Sequence, residues 1–182
     1  MLGCNQLKYT NPHAVINTAY GEIEVELFPA QAPKTVRAFL SYIDSGYYKN
    51  AAFYRVLTNT NVPAEYNTGL VQGGIYTTNP KKLAVIPGIP HEPNSLTHLL
   101  HTNGTISLAR TAPGTASTEF FICIGDQPQF DSNPGTTANE TGFAAFGKVF
   151  SGMDIVKRIQ NSSSQGEAFD HDIKIISIER LK

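Results

Sequence analysis

The chain reads as a mainly β protein: a closed, eight-stranded antiparallel barrel capped by two α-helices. Three observations lead there. Short segments with strand-like patterning recur along nearly the whole length. Only two segments change to helical spacing, and they lie too far apart to supply the crossovers of a parallel sheet. Many short antiparallel strands leave no exposed edge when they close on themselves. With 182 residues, 41% apolar and 16% charged, one domain can bury a substantial core. Residues 1–12 are taken as an N-terminal tail and 13–182 as the single domain.

The elements follow in order. "AVINTAYGEIEVELF" (14–28) is a hairpin turning at Gly21, with Ile23, Val25 and Leu27 alternating against Glu22, Glu24 and Glu26. Pro29 and Pro33 break the sheet. "PKTVRAFLSYIDSG" (33–46) then places Val36, Phe39, Leu40 and Ile43 on one helical face, with proline in the first turn and Gly46 at the end. Strand-like runs follow at 53–57, 69–73, 105–109, 119–124 and 145–150. A second helix fits "MDIVKRIQ" (153–160), and "DIKIISIERL" (172–181) closes the chain as a strand. The stretches 59–68, 77–94 and 131–142 are rich in Asn, Pro, Thr and Gly and read as loops.

A net charge of −1 with scattered lysines provides no basic stripe for phosphates, so no nucleic-acid partner is expected. No run is long enough for a membrane helix. No signal peptide is evident, so a cytoplasmic location is the default expectation. "LGC" at 2–4 does resemble the end of a lipoprotein processing site, which would place a trimmed precursor in the periplasm or cell envelope. Cys123, in apolar "EFFICIG", reads as a buried structural thiol, and nothing in the spacing supports a disulfide with Cys4. His91, His98 and His101, with Glu92, are the one grouping that could be considered for a metal. Their spacing matches no justified site, they read as surface residues, and no metal is assigned.

The chemistry lies elsewhere. "FYRV" (53–56), "VQGG" (71–74), "GTISLAR" (104–110), "EFFICIG" (119–125) and "FAAFGKVFSGMDIVKRI" (143–159) resemble the successive blocks of a cyclophilin, as does "GEIEVELFPAQAPKTVRAFLSYIDSGYY" (21–48). The likeness runs from about His13 to Leu181. It implies the barrel already read from the pattern, and it implies catalysis of cis–trans isomerisation at X–Pro bonds in peptides and unfolded proteins, without a cofactor. Such a reaction needs no nucleophile and no net proton transfer. It needs the prolyl nitrogen lone pair drawn out of conjugation, and a fixed cation that never deprotonates suits that task. Arg55 is therefore the expected catalytic residue; without the other blocks it would read as a strand arginine in a surface ion pair.

The resemblance assigns Gln72 to substrate binding, and its two following glycines are read as allowing a peptide to approach closely. It assigns Phe121 to the floor of the proline pocket, with Phe120 pointing the other way. Ala109 and Arg110 match a segment that pairs with substrate backbone, and Ile106 an apolar position beside the pocket. Tyr54 and Phe143 stand where many members carry histidine, Glu119 where glutamine is common, and Phe130 where an aliphatic residue is usual. Leu70 and Val71, with Tyr66 from a lengthened loop, are the nearest substitutes for the residues that normally line the pocket before the glutamine. Gln129 occupies the place of an aromatic, so weak cyclosporin binding is expected, and the protein is expected to act as a monomer. Arg55 is expected to push Glu119 below its ordinary pKa. The alternative reading is a cyclophilin-fold module that grips proline segments with little turnover.

Overall fold

The computed structural model describes residues 9–59, 64, 67–134 and 140–181. The strands are β1 (His13–Thr18), β2 (Gly21–Leu27), β3 (Ala51–Thr58), β4 (Gly69–Gly74), β5 (Thr105–Leu108), β6 (Phe120–Ile124), β7 (Ala144–Ser151), β8 (Ser164–Gln165) and β9 (Ala168–Leu181). Antiparallel pairing runs β1-β2-β7-β5-β6-β4-β3-β9, and β9 returns to β1, which closes eight strands into a barrel. The two-residue β8 only pairs with the start of β9.

Strand parity decides what fills the barrel. Ile23, Val25 and Leu27 are fully buried, while the intervening glutamates face outward. Helix α1 (Pro33–Asp44) buries Val36, Phe39, Leu40 and Ile43. The Phe39 ring packs on Tyr48, Phe120 and Phe146 in the centre of the core. Helix α4 (Met153–Gln160) buries Val156 and Ile159; Ile155 stays partly exposed.

The segment read as a loop over 77–94 is more ordered than its composition indicates. It carries α2 (Pro80–Leu83), and α3 (Asn94–Thr97) begins at its end. Asn79 caps α2 by accepting from the Lys82 amide. Four-residue helices span little more than one turn, too few to show a period. Glu92, considered above beside the histidines, is 3% exposed and does other work: its two carboxylate oxygens accept from the Lys34 and Thr35 amides at 3.1 and 2.8 Å. It thereby satisfies orphan donors at the start of α1, whose own N-cap, Ala32, offers no side-chain acceptor. Strand β9 begins at Ala168, four residues before the alternating run, because its first residues already pair with β8 and β3, while Phe169 packs into the core.

Candidate active site

The site begins with an irregularity in β3. Phe53 and Val56 are both buried in the core. Strict alternation would then turn one of the two residues between them inward. Instead the register slips between Phe53 and Arg55 in the pairing with β4 and again in the pairing with β9. This bulge lets Tyr54 and Arg55 face the same outer surface. Both line a groove of about 630 Å³, together with Leu70, Gln72, Tyr76, Leu83, Ile86, Ala109, Arg110, Glu119, Phe121, Phe130 and Phe143.

Polar groups cross the groove in a chain whose directions are forced. Arg55 can only donate, so Gln72 turns its Oε1 toward Nη1, at 2.9 Å. The Gln72 amide nitrogen then donates to the Tyr54 hydroxyl at 2.8 Å. That hydroxyl donates to Glu119 Oε2 at 2.7 Å. Glu119 also accepts from the Ile75 amide and the Thr118 hydroxyl. Its pKa is raised, against the expectation drawn from Arg55: burial outweighs the donors that surround the carboxylate. Tyr54 is held far above its ordinary value, first by burial and then by the adjacent Glu119, so its hydroxyl keeps the proton that this chain requires.

The guanidinium is anchored on its other side by a residue the sequence reading did not single out. Glu167 Oε2 accepts from Nε at 2.8 Å and lies 2.7 Å from Nη2. Nothing in "SSQGEAFD" marks this glutamate.

The floor is aromatic. Phe121, Phe130 and Phe143 meet edge-on or tilted at centroid distances of 5.1 to 5.6 Å. With Leu70 and Cys123 they form a small apolar cluster distinct from the main core. Beneath them lies His101, which is 1% exposed, so it is not the surface histidine expected from sequence. Its ring stacks on Phe121 at 5.8 Å and 16°. Nδ1 lies 2.7 Å from Asp131 Oδ1 and Nε2 lies 2.9 Å from Ser107 Oγ. The tautomer that satisfies both donates to the carboxylate and accepts from the hydroxyl. Burial lowers the His101 pKa and outweighs the attraction of Asp131, so the ring is held neutral.

Other expectations need correction. Ile106 is fully buried in the main core opposite Ile122 and does not line the groove; strand parity turns Ser107 to the groove side, where it lies buried beneath the floor. Val71 likewise faces the core while Leu70 lines the groove. Phe120, by contrast, lies in the core as expected, on the face opposite Phe121. The glycines after Gln72 are required by the protein's own packing. A Cβ on Gly73 would press on Phe53 and the Ala52 carbonyl, and one on Gly74, at φ +150°, would fall onto the Glu119 carboxylate. Gln129 is exposed and donates to Gln127. Arg110 lies 4.4 Å over the Phe143 ring and donates to the Gly142 carbonyl, which His91 Nε2 also contacts at 3.0 Å. Among the described residues, no three His, Cys, Asp or Glu side chains gather as a metal site would require, and no helix is long and apolar enough to cross a membrane. Cys123 is buried and free; Cys4 and Tyr66 lie outside the described residues.

Comparison with known proteins is consistent across sequence and structure. The family model described as cyclophilin type peptidyl-prolyl cis-trans isomerase matches residues 13–180. A peptidyl-prolyl cis-trans isomerase of Streptomyces antibioticus is 34% identical, over 92% of this chain and 95% of that protein. Peptidyl-prolyl cis-trans isomerase B of Escherichia coli is 32% identical, over 86% of this chain and 89% of its own. Among solved structures, a cyclophilin type isomerase of Cryptosporidium parvum superposes with a TM-score of 0.73 at 24% identity, covering 94% of this chain and 98% of its own. A structure of that protein determined in the presence of the dipeptide Ala-Pro gives 0.70 at 25% identity, over 93% and 99% of the two chains.

Proposed function

The chain belongs to the cyclophilin-type peptidyl-prolyl cis-trans isomerases, and on that premise we propose that Arg55 is the group that lowers the rotational barrier of an X–Pro bond held in this groove. The observation that carries the reading is the facing of Arg55 and Gln72 at 2.9 Å beside a floor of three phenylalanines.

The X–Pro bond is planar through resonance, with a barrier of about 18–20 kcal/mol. Unaided, it interconverts over tens to hundreds of seconds. As the bond twists, the prolyl nitrogen regains its lone pair. A guanidinium donor placed beside that nitrogen is worth more in the twisted state than in either planar isomer, which is differential stabilisation of the transition state. Phe121, Phe130, Phe143 and Leu70 take the prolyl ring and fix one side of the bond. Gln72 has one amide hydrogen beyond the one spent on Tyr54, and it is free to meet a substrate carbonyl. Ala109 and Arg110 lie at the groove edge, where an extended peptide can run alongside. No proton changes hands, so neither Glu119 nor Tyr54 acts as an acid or base.

The substrates on this reading are proline-containing peptides and the X–Pro bonds of unfolded proteins, taken up by a monomer. The Ala-Pro dipeptide of the Cryptosporidium structure is consistent with that class. Weak binding of cyclosporin goes with the exposed amide of Gln129.

Exchange NMR on short X–Pro peptides, with no added metal or ATP, tests the proposal. Arg55→Ala is expected to lose about 10²–10³ in turnover with little change in binding, the usual effect of removing one transition-state donor. Arg55→Lys is expected to recover part of it, since one ammonium cannot reproduce the fork. Arg180, an exposed arginine paired with Asp44, serves as control. Equal losses in Arg55→Ala and Arg180→Ala, or activity abolished by a chelator, would reject the assignment.

A further inference from the structure

We propose that Glu167 is a positioning residue for this isomerase: it orients the Arg55 guanidinium from the side opposite Gln72. The inference rests on the reading of Arg55 given above.

The placement follows from the barrel topology. Strand β3 lies between β4 and β9, and the register sets Arg55 opposite Gln72 on one side and Ala168 on the other. Glu167 is the residue just before Ala168, in a turn where Gly166 adopts φ +62°. Its backbone is fixed as well, because its carbonyl accepts from the Val56 amide at 2.8 Å. The carboxylate is thus delivered to the arginine from a pinned backbone, 112 residues away in sequence.

The contacts divide the guanidinium usefully. Nε and Nη2 meet Glu167 Oε2, and Nη1 meets Gln72 Oε1. Of the five donors a guanidinium carries, these leave one on Nη1 and one on Nη2. With both flanks held, the plane cannot swing about its long flexible stem, and the two remaining donors keep one direction. An arginine fixed only by Gln72 would keep its charge and lose that direction.

The same contact is poorly suited to a purely stabilising role. The two side chains are 37% and 58% exposed, and pairs that open to solvent contribute little to stability. The exposure also limits how far the carboxylate weakens the arginine's positive field, since water screens both. What survives screening is geometry.

The test measures kcat and KM by exchange NMR and the melting temperature of each variant, and follows the Arg55 Nε–H resonance. Glu167→Ala is expected to lower kcat about tenfold, short of the hundredfold a 1 Å misplacement can cost. KM and melting temperature are expected to hold, and the Nε–H signal to shift and broaden. Glu167→Gln, which keeps an oxygen acceptor, is expected to retain most of the rate. In an Arg55→Ala background, Glu167→Ala is expected to change nothing further. A wild-type kcat in Glu167→Ala overturns the inference, as does an equal loss in Glu167→Gln and Glu167→Ala, or a further fall in the Arg55→Ala background. If Arg55→Ala itself retains full activity, the reading of Arg55 fails instead, a result distinct from each of these.

Discussion

The buried pair His101 and Ser107 beneath the groove floor makes a quantitative prediction. Ser107 is fully buried, and its hydroxyl meets His101 Nε2 at 2.9 Å. His101→Phe keeps an aromatic ring of similar size under Phe121 but leaves that hydroxyl without its acceptor. Asp131 is less affected, because its Oδ1 still accepts from the His101 amide and from Asn94. The dominant cost is one buried donor left unmade, about 1–3 kcal/mol. Ser107→Ala alone likewise leaves the buried His101 Nε2 acceptor without its donor, about 1–3 kcal/mol. Replacing both partners by apolar groups costs less than the two single changes together, so a double-mutant cycle in urea is expected to show a coupling of about 1 kcal/mol or more. Additivity within about 0.5 kcal/mol would refute the pairing. Acid adds an independent check. The unfolded imidazole takes up a proton near pH 6.5, whereas burial holds the folded ring below that value. Between the two the unfolded state binds more protons, so stability falls as pH drops from about 6.5 toward the folded pKa. The wild-type protein is expected to show this component and His101→Phe to lack it; identical slopes in the two proteins would show that the folded ring titrates as it does in water.

Three further predictions concern the rest of the site. Burial raises the Glu119 pKa, so its protonation is expected to weaken turnover in acid above the ordinary carboxylate range, with a flat profile from neutrality to about pH 9, below the Tyr54 range; Glu119→Gln is expected to remove the acid limb, and a limb that survives the substitution would point to another group. Gly69, at φ +141°, would place a Cβ on the Leu57 carbonyl, so Gly69→Ala is expected to cost at least about 1–3 kcal/mol in urea unfolding, and an unchanged midpoint would contradict the backbone geometry at the start of β4. Gln129→Trp is expected to tighten cyclosporin binding by calorimetry, because it replaces a polar amide with apolar surface; tight binding by the unmodified protein would show that Gln129 does not occupy the drug-packing position.

The sequence by itself was sufficient for the barrel, the two capping helices and the blocks that place Arg55, Gln72 and Phe121 in one groove. Those features are carried by local periods of two and 3.6 residues and by short motifs in a fixed order, and both survive in a linear string. Ile106 and Val71 show where that information stops: each sits in a recognised motif, and only the pleat of the folded strand turned it into the core. The bulge at Tyr54 has the same origin, since a register slip belongs to a pair of strands. Glu119 shows a second limit. Its expected proximity to Arg55 suggested a lowered pKa, but burial, which no local pattern expresses, reversed the sign. Glu167, His101 and Asp131 show the third. Glu167 lies 112 residues from Arg55, and His101 and Asp131 lie 30 residues apart; barrel closure set β9 beside β3 while the loop after β6 folded back under Phe121. Contacts between distant segments depend on which strands become neighbours, and that is decided by the chain packing as a whole.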